Sequence, residues 1–230
     1  MLGARSNHLT GSPARASERS ARRRAAVTAA LCLAAVFVTF EGIDGSGKTT
    51  QARLLAEHLA GEGHDVVATR EPGGTALGER VRELLLAGEE MSPWAEAALF
   101  AAARAELVAR VIRPALERGA DVVCDRYIDS SLAYQGIARG LGVDAVLDLN
   151  REAIGGLLPD RTILLLVEPA RAAMRTGAGD RIERDGLWTA LDLAYRELAE
   201  LFPERIVALD GDRPPDVVAS LVRQELAAHA

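Results

Sequence analysis

Gly42-Ile43-Asp44-Gly45-Ser46-Gly47-Lys48-Thr49 satisfies the pattern G-x-x-x-x-G-K-S/T in full. The run Val36-Phe37-Val38-Thr39-Phe40 leads straight into it and a helical run over 50–60 follows, so both flanks that the pattern requires are present. Glycines let successive backbone N–H groups wrap phosphate oxygens, and the N-terminus of the next helix adds a dipole that favours negative charge. In such a loop Lys48 reaches the β- and γ-phosphates of a nucleotide, and the Thr49 hydroxyl holds the Mg2+ that bridges them. The expected nucleotide-binding set is Gly42, Ile43, Asp44, Gly45, Ser46, Gly47, Lys48, Thr49 and the adjoining Thr50.

Lys48 is the only lysine among 27 basic residues, the other 26 being arginine. A chain that uses Arg everywhere else has kept a compact ammonium at this one position. The 230 residues, 49% of them hydrophobic, suffice for one generous α/β core and are short for two. Six arginines and a single acid, Glu18, fall within residues 1–36, which leaves the rest of the chain with a net charge of −11. That acidity argues against nonspecific binding to nucleic acid or to an anionic membrane. Cys32 and Cys124 are too few and too far apart for a disulfide framework, which fits a reducing, cytoplasmic setting. His8, His58, His64 and His229 form no cluster with other ligand residues, so no protein-built transition-metal site is indicated.

Residues 1–24 are rich in Arg, Ser, Ala and Gly without apolar periodicity, the composition of a disordered segment. Arg22-Arg23-Arg24 and the apolar stretch 25–40 copy a secretory signal peptide superficially. The stretch is shorter than the ~20 residues a membrane span needs, and its end is the strand that feeds the phosphate loop. Residues 1–35 are therefore expected to be a passive tail, or the result of a start assigned too far upstream, with Val27, Leu31 or Val36 as alternative initiators. The domain proper is expected over 36–230.

From Phe37 onward short β-branched runs alternate with longer helical stretches. Strands are predicted at 36–41, 65–69, 121–125, 162–167 and 205–209, mostly as continuous apolar runs. The reading is a three-layer α/β P-loop fold, with a five-stranded parallel sheet and helices on both faces. The longest helix is predicted over 93–117, with Pro114 kinking or ending its last turns. Without a second lysine there is neither an Asn-Lys-x-Asp guanine-reading motif nor the extra loop lysine of a partition-type ATPase. With no L-S-G-G-Q stretch either, small metabolite kinases remain.

Three further segments narrow this class: Phe40-Glu41-Gly42 with Asp44 in the loop; Thr69-Arg70-Glu71-Pro72-Gly73-Gly74-Thr75; and Asp125-Arg126-Tyr127 leading to Ser130-Ser131 and Tyr134-Gln135-Gly136. In their order and spacing they resemble thymidylate kinases, nucleoside monophosphate kinases of the P-loop class, from about Phe37 to the C-terminus. The resemblance implies phosphorylation of dTMP to dTDP by ATP with Mg2+, and a homodimer formed through helices that flank the sheet.

Arg70 ends the second strand at the sheet's carboxyl edge, where such folds bind ligands, and a guanidinium there can clamp phosphate. The resemblance makes that the acceptor phosphate. Arg126 follows Asp125 at the end of the third strand. By resemblance Asp125 positions Mg2+ through water, while Arg126 holds the monophosphate and stabilises the charge in transit. Phe100 and Arg104 are four apart and share a helix face, and the resemblance has the ring stack on thymine while Arg104 approaches its O4. It also places Ser130, Tyr134 and Gln135 around the substrate, with Tyr134 crowding the sugar 2′ position, and Asp44 on the 3′-hydroxyl. Each has a plainer alternative: a surface arginine for Arg70, an ion pair for Asp125 and Arg126, a core ring for Phe100, and a turn cap for Asp44.

A short lid is expected over about 175–186, where Asp180-Arg181-Ile182-Glu183 matches the family's lid end. Among Arg175, Arg181 and Arg184, Arg181 is the main candidate for closing on the donor phosphates. Some family members carry an arginine where this chain has Gly45, and the others draw that charge from the lid, as is expected here. The segment 175–179 is nonetheless short and poor in arginine, and Ala190 stands where another is usual. The expected catalytic set is Lys48, Asp125, Arg126 and Arg181, with Thr49 and Asp125 at the metal. Two alternatives stay open: a kinase for another monophosphate such as dUMP or dCMP, and a nucleotide-binding regulatory module with impaired transfer.

Overall fold

A computed structural model describes residues 35–87, 90–176 and 188–228, and the compact unit begins at Ala35. Its strands are β1 (Phe37–Glu41), β2 (Val66–Arg70), β3 (Asp121–Asp125), β4 (Arg161–Leu166) and β5 (Ile206–Asp210). They lie in the spatial order β2-β3-β1-β4-β5, and every pairing is parallel. Each falls within one residue of the strand predicted for it. Hydrophobic runs buried on both faces account for that legibility in β1, β3 and β4, whereas the edge strands β2 and β5 are only partly buried.

The helices are α1 (Lys48–Gly61), α2 (Ala76–Leu86), α3 (Pro93–Leu107), α4 (Arg113–Glu117), α5 (Ile128–Ser131), α6 (Val143–Ile154), α7 (Pro169–Thr176), α8 (Trp188–Leu201) and α9 (Pro215–Ala227). None among the described residues is long and apolar enough to cross a membrane. The strand alternation sorts the core into two layers. Val38, Phe40, Val123, Ile163 and Leu165 face Ala52 and Leu55 of α1 and Val218 and Val222 of α9. Phe37, Val122, Cys124 and Leu164 face the other way, onto Leu107, Ile112 and Leu198.

Two π-helical stretches depart from the sequence reading. Val108–Ile112 joins α3 to α4, so Pro114 does not end the long helix. Proline lacks the N–H that would close the regular turn and its ring crowds the preceding one; the wider turn upstream makes room, with the Arg113 N–H bonding to the Val108 carbonyl. Leu132–Ala138 extends α5 in the same wide geometry and carries Tyr134 and Gln135.

The topology brings the carboxyl ends of β1, β2 and β3 side by side, each followed by a charged loop, at the edge where open α/β sheets hold ligands. The rigidity of this edge depends on the two apolar layers. Ile163 is fully buried in β4, so Ile163→Ala is expected to cost about 2–5 kcal/mol, seen as a lower denaturant midpoint with an unchanged slope.

Candidate active site

The loop after β1 is shaped by backbone that only glycine adopts easily. Gly42 has φ +135°, and a Cβ there would lie 2.5 Å from the Leu165 carbonyl oxygen. Gly45 has φ +78°, and its Cβ would meet the Ala172 carbonyl oxygen of α7 at 2.5 Å, so α7 packs directly on the crown of the loop. Lys48, the first residue of α1, is folded inward, with its Nζ donating to the Ile43 carbonyl at 2.8 Å and lying 3.4 Å from Asp44. Burial, reinforced by the neighbouring Arg126 guanidinium, pushes its pKa down to about 8.

The loop lines a cleft of about 650 Å³ that is also walled by Arg70, Arg82, Asp125, Arg175 and Arg213. Thr49 Oγ1 donates to Asp125 Oδ2 at 2.5 Å across its floor. Hydroxyl and carboxylate oxygens suit a hard cation such as Mg2+. Among the described residues no group of three or more His, Cys, Asp and Glu side chains that could hold a metal is found.

Arg126 is the one non-glycine residue with positive φ, +70°, among those described. Such backbone costs on the order of 1–3 kcal/mol and persists only when its surroundings over-determine it. They do so through Glu41. This fully buried carboxylate accepts from the backbone N–H groups of Tyr127 (2.8 Å) and Ser130 (3.1 Å), from the Ser130 hydroxyl (2.6 Å) and from the Tyr195 hydroxyl (3.0 Å). Burial, with nearby Asp129, raises its pKa above the usual carboxylate range. The Arg126 guanidinium donates to Gly42 O, Ser130 Oγ and Tyr195 Oη at 3.1 Å each, pairs with Asp44, and lies over the Tyr134 ring at 5.5 Å. Arg70 is half-exposed and paired with Glu79 of α2 at 3.1 Å.

A second, smaller pocket of about 100 Å³ is lined by Phe100, Ser130, Ser131, Tyr134 and Gln135, and shares Asp44, Glu71, Arg82 and Arg126 with the large cleft. The structure thus brings together Asp44, Arg70, Phe100, Asp125, Arg126, Ser130, Tyr134 and Gln135 around two adjoining cavities.

Arg104 differs from its expected place. It is 1% exposed and sits behind the smaller pocket. Its Nε donates to Glu71 at 2.7 Å, its Nη2 to the Tyr127 carbonyl at 3.0 Å, and its Nη1 to Ser131 at 3.0 Å and to Asn150. Buried guanidinium needs this many partners, and they turn Arg104 into a brace for the pocket wall. Arg181 and Arg184 lie outside the described residues. Arg175 is described: its Nη1 donates to the Gly45 carbonyl at 3.1 Å and its Nη2 lies 3.2 Å from Asp212.

Sequence reasoning missed Glu71, Arg82 and Tyr195. Glu71 stands inside a motif that was read, yet its orientation toward Arg104 follows only from the fold. Burial, partly offset by Arg104, lifts its pKa to about 7. No sequence pattern announces Arg82 or Tyr195, which are brought in by α2 and α8.

The family model for thymidylate kinase matches residues 40–222. A thymidylate kinase of Exiguobacterium sp. is 48% identical over 188 residues, covering 79% of this chain and 89% of the relative. One of Thermomicrobium roseum is 50% identical over 192 residues, 81% of this chain and 91% of that one. The crystal structure of thymidylate kinase from Ehrlichia chaffeensis matches with a TM-score of 0.72 at 34% identity, over 85% of this chain and all of that one.

The depressed pKa of Lys48 has a testable sign. Near pH 8.5 much of the ammonium is deprotonated in the free protein, and a polyphosphate beside it favours the charged form, so binding must take up a proton. Calorimetric titration with a nucleoside triphosphate in two buffers of different ionisation enthalpy is expected to show proton uptake at pH 8.5. Equal heats in both buffers at pH 8.5 would contradict the assignment.

Proposed function

The chain belongs to the thymidylate kinase family, and on that premise we propose that it transfers the γ-phosphoryl group of ATP to dTMP, giving dTDP and ADP. The observation that carries this reading is the pair of adjoining cavities, one built on a phosphate loop and one on an aromatic and an amide, with Arg126 and Asp44 at their junction.

In this account the triphosphate lies along the loop with Lys48 against its β- and γ-phosphates. The thymine ring enters the smaller pocket, stacked on Phe100 and facing Gln135, with Tyr134 and Ser130 beside the sugar. A phosphate oxygen of dTMP, already anionic and needing no general base, attacks Pγ. The new O–Pγ bond forms as the bond from Pγ to the β-phosphate oxygen breaks, and ADP departs with that electron pair. Positioning and charge neutralisation supply the catalysis.

Arg126 exchanges its partner Asp44 for phosphoryl oxygens, and Asp44 is left to accept the 3′-hydroxyl. Arg70 takes the acceptor phosphate in place of Glu79. Thr49 and Asp125 would hold Mg2+, which would supply positive charge against the phosphates. Arg175, docked on the crown at Gly45, adds cationic charge beside that of Lys48; Arg181, the main candidate from the sequence, lies outside the described residues. Arg104 acts by fixing Glu71 and Ser131. A homodimer formed through helices that flank the sheet is carried over from the family alone.

Coupled ADP-release measurements across deoxynucleoside monophosphates are expected to give dTMP the highest kcat/KM, and equal or better turnover of dCMP would overturn the substrate assignment. Arg175→Ala is expected to lower kcat about tenfold or more with little change in the KM for dTMP. An unchanged kcat would remove Arg175 from the transfer step.

A further inference from the structure

Gln135 is 1% exposed and lines the smaller pocket. An amide has two faces of opposite hydrogen-bonding sense, and which of them meets a ligand decides what the pocket accepts. Here the orientation is set from behind. Gln135 Nε2 donates to Glu96 Oε1 at 2.9 Å, whereas Gln135 Oε1 is buried without a partner. Glu96, in the first turn of α3, is itself 1% exposed. Arg139 Nε, just past the π-helical stretch, lies 3.6 Å from the same carboxylate oxygen. The helix N-terminus and the guanidinium both present positive charge to this carboxylate, and as an anion it offers only lone pairs.

We propose that Glu96 is the specificity-positioning residue of the acceptor pocket, locking the Gln135 amide so that its carbonyl oxygen and second N–H face the ligand and select a 4-oxo pyrimidine with a protonated N3. The inference rests on the proposed acceptor site and deepens it. A thymine or uracil ring offers an N3–H donor beside the O4 acceptor, which matches that edge. Cytosine offers an N3 acceptor beside the N4 amino donor, which demands the reverse. To satisfy cytosine the amide must turn over, and its oxygen would then face the Glu96 carboxylate, two acceptors together in a buried place. Sites that bury hydrogen-bonding groups in this way reject the mismatched ligand strongly.

Glu96 does not line the pocket, so it acts through Gln135 rather than on the substrate. Glu96→Gln keeps the shape but can donate or accept, and so permits both orientations of Gln135. The ratio of kcat/KM for dTMP to that for dCMP is expected to fall at least about tenfold in this variant. The change should come through a higher KM for dTMP and a lower one for dCMP, with kcat for dTMP held within a few-fold.

A merely structural role would depress both substrates together and leave the ratio in place, which would overturn the proposal. Thermal unfolding identifies a variant that fails to fold, and Glu96→Ala, which also removes the obligatory acceptor, is then read for the same ratio; an unchanged ratio in a folded variant is equally contradictory. Turnover of dTMP by the parent protein separates the two readings. Absence of dTMP turnover in the parent protein sinks the kinase assignment, whereas normal dTMP turnover with a ratio insensitive to Glu96 sinks the lock alone.

Discussion

A single ammonium, taken out of water and folded back onto its own loop, organises this protein. Lys48 donates to the Ile43 carbonyl at 2.8 Å and lies 3.4 Å from Asp44, at 5% exposure. Desolvation weakens its hold on its proton, and that is the condition in which a phosphate anion gains most from its company. The loop that holds the ammonium is shaped by glycine backbone at Gly42 and Gly45, closely approached by carbonyls of β4 and α7, and leads into the α1 N-terminus. A side chain at either glycine would separate these layers.

The same edge carries a second arrangement that offsets part of the repulsion between its cations in the free protein. Lys48 and Arg126 share Asp44, and Arg126 is otherwise held by Gly42, Ser130 and Tyr195. The buried Glu41 carboxylate ties the residues after Arg126 to β1 and α8. In the proposed reaction the ion pairs would exchange partners as phosphates enter while the buried hydrogen bonds persist, which would keep reorganisation small as charge moves. On the acceptor side Glu96 and Arg104, each 1% exposed, brace Gln135 and Ser131 from behind in the same manner.

The central strands β1, β3 and β4 were legible because parallel strands buried on both faces leave apolar runs that little else in a chain produces. The loop was legible because its glycines and lysine stand at a spacing set by phosphate geometry. What escaped depends on three-dimensional neighbours. The π-helical turns at Val108–Ile112 and Leu132–Ala138 leave no periodic mark that distinguishes them from ordinary helix. The position of Arg104 behind the pocket follows from Asn150 on α6 and Glu71 after β2, residues far apart in sequence. Spacing placed Arg104 and Phe100 correctly on one helix but could not say which of them meets the cavity. The docking of Arg175 on Gly45 likewise follows from how α7 packs, not from any motif in the lid.

The central claim is that a compact, desolvated ammonium at position 48 is what this loop requires, and that positive charge alone does not suffice. Lys48→Arg tests it most directly, because it keeps the charge and uses the residue the chain employs everywhere else. Single-turnover formation of dTDP from saturating ATP and dTMP is expected to be abolished in a variant that still unfolds cooperatively, since the planar fork does not fit where the ammonium sits against Ile43. Formation of dTDP at a near-normal rate would contradict this account of the site.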